Sequence, residues 1–76
     1  MLEVNVCSGF YTCPPERQGI RQIHNWQPAP ARELLQMLGI DLNELGLLTV
    51  NGQKISLDEI IPDNVKVAIW PFYYGG

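Results

Sequence analysis

A single stretch of the chain carries helical periodicity, so every other element must be arranged around one helix. In Pro28-Ala29-Pro30-Ala31-Arg32-Glu33-Leu34-Leu35-Gln36-Met37-Leu38-Gly39, the residues Ala31, Leu34, Leu35 and Leu38 recur at helical steps and make one apolar stripe. Proline suits the first turn, where its missing N–H would have no helical partner, and Gly39 supplies a left-handed cap. The expected helix spans 30–38. A sheet packed on it has one face covered, and the other is left to solvent or to a partner.

The flanking segments have the two-residue period of strands. Leu2-Glu3-Val4-Asn5-Val6 alternates apolar and polar residues. The prolines and glycine of Thr12-Cys13-Pro14-Pro15-Glu16-Arg17-Gln18-Gly19 make a loop, and a second extended piece is expected over 20–26. After the helix, Asp41-Leu42-Asn43-Glu44 has the form of a capping box and predicts one extra turn. Leu47-Leu48-Thr49-Val50 runs into Asn51-Gly52, a pair that tolerates positive φ and suits a tight hairpin, with Gln53-Lys54-Ile55 returning. Ser56 to Glu59 predicts another capped turn, Pro62-Asp63-Asn64 a turn, and Val65-Lys66-Val67-Ala68-Ile69 a clean strand.

Strands gathered around one helix define an α+β domain. The first and last strands can lie side by side in the middle, with the hairpins at the edges. That is the β-grasp (ubiquitin-like) arrangement, a mixed four- to five-stranded sheet on one main helix. The domain is expected over 1–70, followed by a flexible tail over 71–76 that ends in Gly-Gly. Leu34, Leu35 and Leu38 should face Val4, Val6, Val67 and Ile69.

Composition narrows the function. At 76 residues the chain is one domain, and a domain of this size buries only about 60% of its unfolded surface. A net charge of −3 argues against nucleic acid or an anionic membrane as partner, since both need clustered Lys and Arg. No apolar run approaches the roughly 20 residues of a membrane span, and no secretory signal is evident, so the cytoplasm is the expected compartment. Cys7 and Cys13 read as reduced thiols, because a zinc site needs four ligands and these two thiols and His24 supply too few. His24 is the only imidazole, and no motif brings Ser8 or Ser56 to it. Asp58 and Glu59 are adjacent and diverge on a turn. The chain has no catalytic constellation of its own, binds no cofactor by any motif, and is not expected to be an enzyme.

The C-terminal segment, Trp70-Pro71-Phe72-Tyr73-Tyr74-Gly75-Gly76, is the exception. Two glycines without side chains can thread a narrow tunnel and adopt backbone angles that other residues resist. The six residues 71–76 reach at most about 20 Å.

Taken together, Leu34-Leu35-Gln36-Met37-Leu38-Gly39-Ile40, Thr49-Val50-Asn51-Gly52, Val65-Lys66-Val67-Ala68-Ile69-Trp70-Pro71 and Gly75-Gly76 resemble the MoaD/ThiS family of ubiquitin-like sulfur carriers. The likeness covers 31–76 and is limited to layout before that. It implies that a ubiquitin-activating-like adenylyltransferase joins the Gly76 carboxylate to AMP, with ATP and magnesium held by that enzyme. A sulfur donor of cysteine desulfurase or rhodanese type would then leave a thiocarboxylate on Gly76. A sulfur-accepting synthase subunit would use it to build molybdopterin or the thiamine thiazole. Ile69-Trp70-Pro71 resembles the small subunit of molybdopterin synthase more than the thiazole carrier.

In this scheme Gly75 threads the tunnel, and Pro71, Phe72, Tyr73 and Tyr74 contact partners. Asp63-Asn64-Val65 departs from the family's Asp-Gly-Asp turn, and Phe72, Tyr73 and Tyr74 are bulkier than its usual tail. Two other functions fit the same residues: a non-covalent binding module working through the open sheet face and the aromatics, and a protein modifier conjugated through Gly76.

Overall fold

Leu2, Val4 and Val6 alternate with Glu3 and Asn5. In the computed structural model, which describes residues 1–7 and 18–72, they form strand β1 (Leu2–Val6) with all three apolar side chains buried. Strand β2 (Gly19–Ile23) runs antiparallel to β1, and β7 (Lys66–Pro71) runs parallel to it on the other side. Strand β4 (Leu45–Val50) pairs antiparallel with β7 and carries the short β5 (Gln53–Lys54) on its outer edge. The order is β2-β1-β7-β4-β5, a mixed five-stranded sheet with the first and last strands side by side at its centre.

Helix α1 (Ala31–Leu38) lies on one face. Its buried residues Ala31, Leu34, Leu35 and Leu38 share one core with Val4, Val6, Val67 and Ile69, as their spacing predicts. The helix ends at Gly39, whose φ of 77° permits a six-residue closure: Gly39 N–H donates to the Gln36 carbonyl and Ile40 N–H to that of Leu35. Ile40 is thereby turned back into the core. A 3₁₀ turn follows at Leu42–Glu44, capped by the Asp41 carboxylate, which accepts from Asn43 N–H.

The remaining turns are set by asparagines. Asn51 and Gly52 have φ of 50° and 85°, the geometry expected of the hairpin. Asn51 also brackets Lys66, donating its N–H to the Lys66 carbonyl and accepting Lys66 N–H on Oδ1. Asn64 adopts φ 62° in the turn before β7, so the turn forms where a glycine would have been the ordinary choice.

Three features differ from the sequence expectation. The second extended piece stops at Ile23 because Asn25 takes φ 63° and turns the chain. Trp26 is then buried, and its indole N–H donates to the Ile61 carbonyl across 35 positions. Next, Ala29–Pro30 forms β3 against β6 (Ile60–Ile61), a second small sheet. Pro30 is therefore extended (ψ 146°) and caps the helix from outside, while Ala31 and Arg32 N–H donate to the carbonyls of Glu59 and Leu57. Finally, β7 spans Lys66–Pro71 where a strand over 65–69 is expected, with Pro71 opposite Leu45.

The proline is tolerated there for a geometric reason. Val65 and Ile69 accept from β1, so the main-chain groups of every second residue, Pro71 included, point to that side. Strand β1 ends at Val6, paired with Ile69, so the proline, which has no N–H to offer, sits where the pairing with β1 stops.

Candidate functional site: the root of the C-terminal arm

Gly75 and Gly76, with Tyr73 and Tyr74, lie outside the described residues; the structure defines the strand end from which they continue. Strand β7 is held there by β4 through a bulge. Leu45 pairs with Pro71 and Leu47 with Trp70, and Gly46 is the extra residue between them. Phe72 N–H donates to the Glu44 carbonyl, which carries the pairing one step beyond the proline.

Gly46 is needed for space. A Cβ on it would stand 2.5 Å from the Pro71 carbonyl oxygen and 2.7 Å from the Phe72 Cα. Those atoms are backbone and cannot swing aside. Sequence reasoning passed over this residue, although a glycine inside a strand pattern is itself a sign of a bulge or a close backbone approach. Gly46→Ala should cost about 1–3 kcal/mol, the usual range for overpacking, and shift the Phe72 amide resonance. Unchanged thermal unfolding and an unmoved Phe72 amide would show that the two backbones can part freely.

Among the described residues, three large apolar side chains around this root are exposed. Alternation along β7 sends Val67 and Ile69 into the core and Trp70 to the side of the sheet away from α1, with Phe72 following Trp70. Trp70 is 37% exposed, its cross-strand neighbour Leu47 36% and Phe72 61%. Of the four residues expected to meet partners, Pro71 is a half-buried strand residue and Phe72 is exposed beside Trp70. Leu47 and Trp70 join them, and neither belonged to the expected contact set.

The other sequence candidates are scattered. His24 is exposed in the bend after β2. Asp58 holds the Arg32 guanidinium at the surface, and the Glu59 carboxylate accepts Ser56 N–H in the turn expected there. Ser8 and Cys13 lie outside the described residues. Among the described residues, no three His, Cys, Asp or Glu side chains gather to hold a metal ion. No helix among them is long and apolar enough to cross a membrane.

Cys7 follows β1 and is half-buried; its N–H donates to the Ile69 carbonyl. Burial pushes its thiol pKa up, so the thiolate needed for sulfur chemistry is scarce at neutral pH. If Gly76 carries sulfur, as the family resemblance implies, a Cys7→Ser, Cys13→Ser double variant is expected to accept it at the native rate. Loss of sulfuration with the fold intact would instead make one thiol a relay.

Comparison with family models, with curated proteins and with solved structures found no significant match for this chain.

Proposed function

We propose that the chain is a β-grasp sulfur carrier that works through the Gly76 carboxylate. The observation that carries this reading is the construction of the arm's root. The central strand β7 ends at Pro71 in a pairing set by the Gly46 bulge, beside the exposed side chains of Leu47, Trp70 and Phe72. Such a root gives an enzyme a rigid apolar surface to grip while the glycines enter its active site. The parallel central pair and the one helix on one face further support the β-grasp assignment.

The chemistry requires Gly76 to bear the free carboxylate. A carboxylate resists substitution because its oxygen is a poor leaving group. Attack of that oxygen on the α-phosphorus of ATP expels pyrophosphate and makes an acyl-adenylate, from which AMP leaves readily. The terminal sulfur of a donor persulfide then takes the acyl group, and a second donor thiol cleaves the sulfur–sulfur bond. Gly76 is left as a thiocarboxylate and the donor as a disulfide.

ATP, magnesium and the donor cysteine belong to partners: an adenylyltransferase, a donor of desulfurase or rhodanese type, and a synthase subunit that accepts the sulfur. Molybdopterin synthesis is the acceptor pathway we favour, ahead of the thiamine thiazole, and the cytoplasm is the compartment the reading implies.

The test is intact-mass spectrometry of the chain after incubation with an adenylyltransferase of this class, ATP, magnesium and a sulfur donor. The expected product carries one oxygen-to-sulfur exchange in the terminal peptide. An unchanged mass, with tight binding to another protein through Trp70 and Phe72, would establish the non-covalent module; a lysine adduct would establish the modifier.

A further inference from the structure

The edge of the sheet farthest from β5 carries a second binding feature, independent of the arm. Strand β2 has β1 on one side, and among the described residues no strand on the other. Glu3 and Cys7 donate their N–H groups towards β7, so Leu2, Val4 and Val6 turn their main-chain groups to β2, opposite Ile23, Arg21 and Gly19. The intervening residues, Ile20 and Gln22, therefore aim their N–H and C=O groups away from the sheet, along the open edge. Both residues are exposed. Beside this edge runs a groove of about 360 Å³, with Arg21, Gln22 and Ile23 on one wall and Met37 and Leu38 of α1 on the other.

The geometry points to an extended acidic peptide of a partner protein as the occupant, added antiparallel to β2 as a sixth strand. The main chain of Ile20 and Gln22 offers two donors and two acceptors in the spacing of a ladder. The side chains set the sequence. Arg21 pairs in register with buried Val4, so it stands on the helix side of the sheet, and among the described residues it is the only charged one lining the groove. A carboxylate opposite Arg21 therefore meets its guanidinium. Two residues earlier in the peptide, an aliphatic side chain meets Ile23, Met37 and Leu38; Met37 is an apolar residue left 53% exposed in that wall. A second copy of this chain fits less well. The antiparallel register that uses Ile20 and Gln22 of both copies would set two Arg21 side chains opposite each other.

The probe is the peptide Ac-Thr-Thr-Ile-Thr-Glu-Thr-Thr-amide, titrated into the ¹⁵N-labelled full chain and followed by NMR. The expected shifts cluster at Ile20, Gln22, Met37 and Leu38, and hydrogen exchange slows at the Ile20 and Gln22 amides. Arg21→Glu, an exposed change that leaves the core untouched, should weaken binding by about tenfold or more, as loss of a charge-assisted hydrogen bond would. N-methylation of the central threonine should abolish binding, because it removes a ladder donor. Three results overturn the proposal. No shift at millimolar peptide means that Arg21 guards the edge against pairing. Binding that survives N-methylation means that no strand is added. Edge shifts that vary with protein concentration without peptide mean that a second copy is the occupant.

Discussion

One residue added after Gly76 is expected to abolish sulfuration completely. In the carrier reading, an adenylyltransferase must bring a carboxylate oxygen into line with the α-phosphorus, and near-attack geometry tolerates little displacement. With an added residue, the Gly76 carbonyl is an amide and the nearest carboxylate lies about 3.5 Å farther along the chain. Deleting Gly76 moves the carboxylate by the same length the other way. Gly75→Val leaves the reach unchanged but adds bulk and stiffens the backbone inside a tunnel. All three changes lie beyond β7, which ends at Pro71, so thermal unfolding should match the native chain. Intact mass under the sulfuration conditions separates the outcomes: the native chain gains the oxygen-to-sulfur exchange and the variants do not. If the extended variant still performs the chain's biological role, the carrier reading falls and the binding module replaces it.

How much of this could be read from residues depends on whether the determinant is local. Gly39 and Ile40 state the end of the helix within one turn, because glycine accommodates φ 77° without strain and an apolar residue belongs where the closure points. Asn51-Gly52 states the hairpin for the same kind of reason. Strands β3 and β6 are different, since two residues carry no period and their pairing is made by elements some thirty positions apart. The Trp26–Ile61 hydrogen bond is equally non-local.

At the candidate site, Gly75 and Gly76 were chosen from sequence alone, through their chemistry. The exposure of Leu47 beside Trp70 arises from the bulge. By simple alternation Leu45 and Leu47 lie on one face of β4, and the extra residue at Gly46 resets the register so that Leu47 meets Trp70 while Leu48 enters the core against Ile69. A single glycine thus decides which leucine covers the core and which stands at the root of the arm.

The largest stability effect is expected from Leu35→Ala. Leu35 is fully buried, and its carbonyl also accepts from Ile40 in the closure that ends the helix. Its side chain lies in the same core as Val4, Val67 and Ile69 of the two central strands. Truncation removes the transfer free energy of the lost methyl groups and leaves a cavity that the sheet cannot collapse to fill, for a cost of about 2–5 kcal/mol. A domain of 76 residues has roughly 4–11 kcal/mol to lose. With about 4–8 °C per kcal/mol at this size, the melting temperature should fall by about 10 °C or more. No second helix among the described residues covers this face, so the loss cannot be shared with another layer. Calorimetry of the purified variant measures it, and a shift of only a degree or two would mean that α1 packs loosely on the sheet. In the carrier reading the chemistry belongs to Gly76 and not to α1, so the folded fraction of Leu35→Ala should still take up sulfur at low temperature, where the Gly76 variants take up none.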